Sequence, residues 1–84
     1  MSESLPTVFV VDDDEPVRDA IGLLLDTVDI EHESFDSAQS FLADYDGHRT
    51  GCLVLDIRMP GMSGLELQDH LAEQQDPLPI IFIT

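Results

Sequence analysis

The sequence contains no lysine and no tryptophan, and its cations are three arginines, Arg18, Arg49 and Arg58. Against them stand 18 Asp and Glu residues, giving a formal net charge of -15 over 84 residues. A protein that grips a phosphate backbone needs clustered Lys or Arg to release counterions, so this segment is not expected to bind DNA or RNA. Metal cations and basic partner surfaces suit its charge better. The single cysteine, Cys52, excludes a disulfide framework within the chain and reads as a small buried hydrophobe in a reducing compartment. No apolar run approaches the roughly 20 residues of a membrane span. The opening Met1-Ser2-Glu3-Ser4 lacks the basic start of a secretory signal, so a cytoplasmic location is expected.

What is present is enough for one small domain over residues 1–84, with 43% hydrophobic residues in an ordinary, non-repetitive order. Short β-rich runs alternate with helical stretches, the pattern of a parallel α/β sheet with helices on both faces. A first strand over Thr7–Val11 is unbroken in its apolar character, as suits burial on both faces. Pro16 fits the first turn of a helix, and Val17, Ala20, Ile21, Leu24, Leu25 and Val28 follow at helical spacing to cover one sheet face. Glu31–Phe35 reads as a short polar edge strand. Ser37 is an N-cap for a second helix carrying Ala38, Phe41 and Leu42, ended by the Asp46-Gly47 turn. Cys52–Leu55 is a third strand. Ser63 and Glu66 then form a capping box for a third helix with Leu65, Leu67 and Leu71, and Pro77 and Pro79 lead into a fourth apolar strand ending at Thr84. The order is β-α-β-α-β-α-β, and no internal repeat or second domain is expected. A chain that stops inside an apolar strand reads as a fragment, with that strand's outer edge open to pairing with a second copy.

Ligands of parallel α/β sheets bind outside the carboxyl ends of the strands, where the strand order reverses. Asp12 and Asp13 directly follow the first strand, and Asp56 directly follows the third. If those strands are neighbours, three carboxylates converge in one crevice, where mutual repulsion calls for a divalent cation. Magnesium prefers hard oxygen ligands, uses one or two carboxylates and keeps waters for a phosphate to displace. Such a site screens an anionic phosphoryl donor from a carboxylate nucleophile, which singles out Asp56 as an acceptor that becomes an aspartyl phosphate. Thr84, ending the fourth strand, brings a hydroxyl to the same edge if that strand lies beside the third. Acidic residues after a strand are often mere turn residues; it is their joint placement at one sheet edge that carries the reading.

At Val10-Val11-Asp12-Asp13-Asp14-Glu15-Pro16-Val17-Arg18, at Leu53-Val54-Leu55-Asp56-Ile57-Arg58-Met59-Pro60-Gly61-Met62-Ser63-Gly64 and at Ile81-Phe82-Ile83-Thr84, the sequence resembles the response-regulator receiver family, its FixJ-like branch in particular. The resemblance runs from about Thr7 to the last residue. It implies a flavodoxin-like sheet in the order 2-1-3-4, incomplete by a fifth strand. It implies Asp56 as phosphoacceptor, Asp13 and Asp56 as direct Mg2+ ligands, Asp12 as a nearer or water-mediated acidic partner, the Arg58 backbone carbonyl as a ligand and Thr84 as the switch hydroxyl. A sensor histidine kinase is the implied donor, with transcription regulated through a DNA-binding output domain outside this segment. The family's lysine after strand five has no counterpart here, so weak or absent phosphorylation of these 84 residues on their own is expected, along with a first helix that lacks one packing partner.

Two alternatives stand beside this reading. One is a self-associating fragment paired through the fourth strand. The other is a haloacid-dehalogenase-like phosphotransferase, whose Asp-x-Asp Asp12-Asp13-Asp14 partly mimics, but which also wants a lysine. His32, His48 and His70 share no metal-binding spacing and read as surface or packing residues. Met59 and Met62 read as loop packing beside carboxylates that favour magnesium over a soft metal. Arg18 could pair with an acidic residue one turn away, an exposed pair worth at most about 1 kcal/mol, and is assigned no function.

Overall fold

The computed structural model describes residues 6–45, 50–56, 66, 67, 69, 73 and 78–83. Its elements run β1 (Thr7–Val11), α1 (Glu15–Thr27), β2 (His32–Phe35), α2 (Ala38–Asp44), β3 (Gly51–Asp56) and β4 (Ile80–Ile83). The strands form one parallel sheet in the order β2-β1-β3-β4. The expected order is therefore found, and β1 spans the expected residues. The third strand is one residue longer at each end than Cys52–Leu55. Glu66, Leu67 and Asp69 have helical backbone, and Leu67 is fully buried, where a third helix is expected. The Asp46-Gly47 turn, the loop from residue 57 to Ser63, Leu65, Leu71 and Pro77 lie outside the described residues.

The strand pleat sends alternate side chains to opposite faces. Phe9 and Val11 of β1, with Leu53 and Leu55 of β3, enter one core with Ala38, Phe41, Leu67 and Leu78. Phe41 lies at the centre, edge-on to Phe9 at 5.4 Å and to Phe35 at 5.5 Å and stacked on Tyr45 at 5.1 Å. Burying an aromatic or aliphatic side chain of this size contributes about 1.5–3 kcal/mol each, so the cluster is the main cohesive element on this side of the sheet. The helix that supplies Phe41 starts where expected: Ser37 is extended and its hydroxyl accepts the Ser40 N–H at 3.0 Å.

On the other face α1 lies against β2 and β1. Pro16 occupies its first turn, with Asp14 as the N-cap. The helix ends where Asp29 takes φ 57 and the Ile30 and Asp29 N–H groups donate back to the Leu25 and Asp26 carbonyls at 3.1 and 3.2 Å. That is a Schellman stop with an aspartate where glycine is usual. The expected apolar stripe is only partly covered. Val17, Ile21 and Leu25 are half-buried and Gly22 is buried, whereas Leu24 and Val28 stand 66% and 58% exposed. The reason is geometric, because α1 sits over β2 and β1 and its outer side meets no further element among the described residues.

Gly51 opens β3 in a conformation only glycine adopts freely. Its φ is 137, and a Cβ would stand 1.8 Å from the Thr7 carbonyl oxygen. Thr7 is the residue that pairs with Gly51 in the β1–β3 ladder, so this close approach sets the register that carries through to Val11 and Leu55.

Candidate functional site

The register places the acidic residues before any side chain is considered. Val11 and Leu55 are the last pair of the β1–β3 ladder, so the next residues, Asp12 and Asp56, stand side by side at the carboxyl edge of the sheet. Asp12 is still tied to the sheet, since its N–H donates to the Phe35 carbonyl at 3.1 Å. Asp56 remains in the ladder opposite Ile83. Asp13 follows as the chain turns toward α1.

Asp12, Asp13 and Asp56 each offer a carboxylate oxygen within 4.8 Å of the others. Asp12 is buried, Asp56 half-buried and Asp13 exposed, so the group runs from the interior to solvent. The Asp12 carboxyl is held above the ordinary carboxylate range, first by burial and then by the nearby charges of Asp56, Asp13 and Asp14. The Asp14 N–H works against that shift by donating to Asp12 Oδ1 at 2.9 Å, a tight Asx-type turn. Three hard oxygen donors open to water through Asp13 suit a small divalent cation, which would relieve the repulsion that adds to burial in raising Asp12.

The sequence anticipated this meeting of Asp12, Asp13 and Asp56 but not what braces it. The Arg18 guanidinium does not pair with a carboxylate one turn away; its Nη1 reaches back to donate to the Asp12 backbone carbonyl at 2.6 Å. The Asx turn is a further brace, and an aspartate two residues before a helix N-cap is the usual signal for it. Arg58 and Thr84 lie outside the described residues, as do Met59, Met62, His48 and His70. His32 bonds through Nε2 to Asp26 Oδ1 at 2.8 Å and lies against Gly22, tying β2 to α1 well away from the acidic group. Cys52 is a free thiol, half-buried and not enclosed.

Residues 8–84 match the family described as the response regulator receiver domain. The chain is 42% identical over its whole length to the response regulator protein TodT of Pseudomonas putida, covering 37% of that protein. It is 43% identical over 77 residues to the transcriptional regulatory protein FixJ of Bradyrhizobium diazoefficiens, covering 92% of this chain and 38% of that one. The chain thus spans under two fifths of the length of these curated relatives. Among solved structures, the response regulator StyR superposes with a TM-score of 0.91 at 53% identity, over 96% of this chain and 41% of that one. The N-terminal part of FixJ gives 0.85 at 40% identity, over 100% of this chain and 66% of that one.

Proposed function

The chain belongs to the response regulator receiver domain family, and from that premise we propose that it receives a phosphoryl group from a sensor histidine kinase on the Asp56 carboxylate, with Mg2+ at the acidic cleft. The observation that carries the reading is the approach of Asp12, Asp13 and Asp56 to within 4.8 Å of one another at the carboxyl edge of the sheet. Asp13 and Asp56 would hold the ion directly, Asp12 directly or through water, and the Arg58 carbonyl would complete the protein ligands. When bound, Mg2+ supplies charge neutralisation at the transferring oxygens.

An Asp56 carboxylate oxygen attacks phosphorus as the phosphorus–nitrogen bond of a phosphohistidine breaks. The histidine keeps the bonding electron pair and takes a proton from solvent, and Asp56 is left as an acyl phosphate. Asp12, buried at the strand end, would help hold the ion beside the nucleophile, while Asp13 lies on the exposed side that a donor would approach. Thr84 would donate its hydroxyl to a phosphoryl oxygen and so report the modification to the rest of the protein. The output is transcriptional, through a DNA-binding domain beyond this segment; relatives that include transcriptional regulatory proteins support that part. The location proposed is the cytoplasm, where a kinase has ATP. Among the described residues no helix is long and apolar enough to cross a membrane.

Treating the full-length protein, rather than these 84 residues alone, with a small-molecule phosphodonor and Mg2+ should add one phosphoryl group by intact mass, and Asp56→Asn should remove it. Undiminished modification of Asp56→Asn overturns the assignment. A second reading, pairing of two copies through β4, draws on that strand's place at the sheet edge and on Ile81, 53% exposed. It calls for a concentration-dependent dimer by light scattering that Ile81→Lys abolishes, and a monomer at all concentrations excludes it.

A further inference from the structure

Asp12 is fixed at three points. Its N–H is bound by the Phe35 carbonyl of β2, its Oδ1 accepts the Asp14 N–H, and its own carbonyl accepts Arg18 Nη1 at 2.6 Å. The first two would hold in any strand that ends in an Asx turn. The third is different in kind, because it reaches from the first turn of α1 back to the peptide joining Asp12 to Asp13. Fixing that carbonyl fixes the plane of the peptide, and with it where the Asp13 Cα and carboxylate fall relative to Asp56. Asp13 is exposed rather than packed in the core, so its aim depends on its backbone.

We propose that Arg18 is a positioning residue for the acidic cleft, clamping the Asp12 carbonyl so that the Asp12–Asp13 turn presents both carboxylates to the ion beside Asp56. Arginine suits the task because its several N–H donors form a rigid fork and it stays charged at any working pH. The local sign of charge makes the role distinguishable from mere electrostatics. A guanidinium close to a cation site repels the cation, so if Arg18 acted only as a charge, its removal would tighten Mg2+ binding. If it positions the turn, its removal loosens Mg2+ binding despite the lost repulsion. Residues that orient metal ligands from behind typically change affinity by about 10–100-fold when mutated. The lower end is expected here, because the contact is only partly buried.

The inference rests on the reading of the cleft as a Mg2+ site, and one experiment separates the two. Mg2+ is titrated calorimetrically into the wild-type protein and into Arg18→Met, which keeps the apolar stem, with amide hydrogen exchange at Asp14 measured on both. Arg18→Met should bind Mg2+ about tenfold more weakly, exchange its Asp14 amide faster, and recover most of the affinity when the residue is Lys instead. Should Arg18→Met not fold, Arg18→Gln, neutral but polar, is expected to show the same weakening. Equal or tighter Mg2+ binding by a folded neutral variant, or unchanged exchange at Asp14, overturns the positioning role alone. Failure of the wild type to bind Mg2+ overturns the cleft reading and the positioning role with it.

Discussion

Replacing Asp12 with Asn should stabilise the metal-free protein while removing its response to Mg2+. The three carboxylates stand no more than 4.8 Å apart. At that separation a pair of like charges costs about 1 kcal/mol at the dielectric of water and about 3.5 kcal/mol at an effective value of 20. Asp12 is buried and Asp13 is exposed, so the Asp12–Asp56 pair belongs toward the upper value and the Asp12–Asp13 pair toward the lower. An asparagine keeps the oxygen that accepts the Asp14 N–H, and its new amide can donate to the carboxylates it formerly repelled. A net gain of about 1–3 kcal/mol is expected.

The pH dependence has a definite sign. Burial and repulsion raise the Asp12 pKa in the folded state, so between its ordinary and raised values the native protein binds more protons than the unfolded one. Stability therefore falls as pH rises through that window and stays lower above it. Urea unfolding in EDTA, followed across this range, should show the decline in the wild type and a flatter profile in Asp12→Asn. Adding Mg2+ should stabilise the wild type by mass action and leave Asp12→Asn nearly unmoved. An Asp12→Asn protein that is less stable than wild type in EDTA would refute the view that the cleft is strained by its own charge.

Gly51→Ala should cost about 2–4 kcal/mol, because the new methyl meets the Thr7 backbone carbonyl and the left-handed φ is itself strained; an unchanged urea midpoint would contradict it. Asp29→Gly should stabilise by about 0.5–1 kcal/mol by relieving a non-glycine residue at φ 57 at the end of α1. Thermal unfolding would show this as an upward shift of the midpoint, and a downward shift would mean that the Asp29 side chain holds the stop in some other way.

The apolar strands were legible in the sequence as unbroken hydrophobic runs, whether buried on both faces as β1 is or partly exposed as β4 is. Thr7–Val11 shows this best. The meeting of Asp12 with Asp56 was legible for the same reason, since two carboxylates that each follow such a strand must share an edge once the strands are neighbours. Features that depend on one side chain crossing between elements were not legible. Arg18 looked like one more helix-surface charge, and only the backward reach of its guanidinium to the Asp12 carbonyl gives it a role. The partial cover of α1 was hard to read for a related reason. Helical spacing marks Leu24 and Val28 as apolar positions but does not say which neighbour meets them. Asp29 gives no sequence signal for the stop, because aspartate only occasionally takes the left-handed turn that glycine takes freely.

The most direct test of the central claim is to locate the phosphoryl group chemically. After phosphodonor and Mg2+ treatment of the full-length protein, borohydride reduces an aspartyl acyl phosphate to homoserine, and peptide sequencing by mass spectrometry reads where it stands. The account predicts homoserine at position 56, dependent on Mg2+ and absent from Asp12→Asn or Asp13→Asn proteins that remain folded. Homoserine at another aspartate, or at position 56 with equal yield in EDTA, would contradict it.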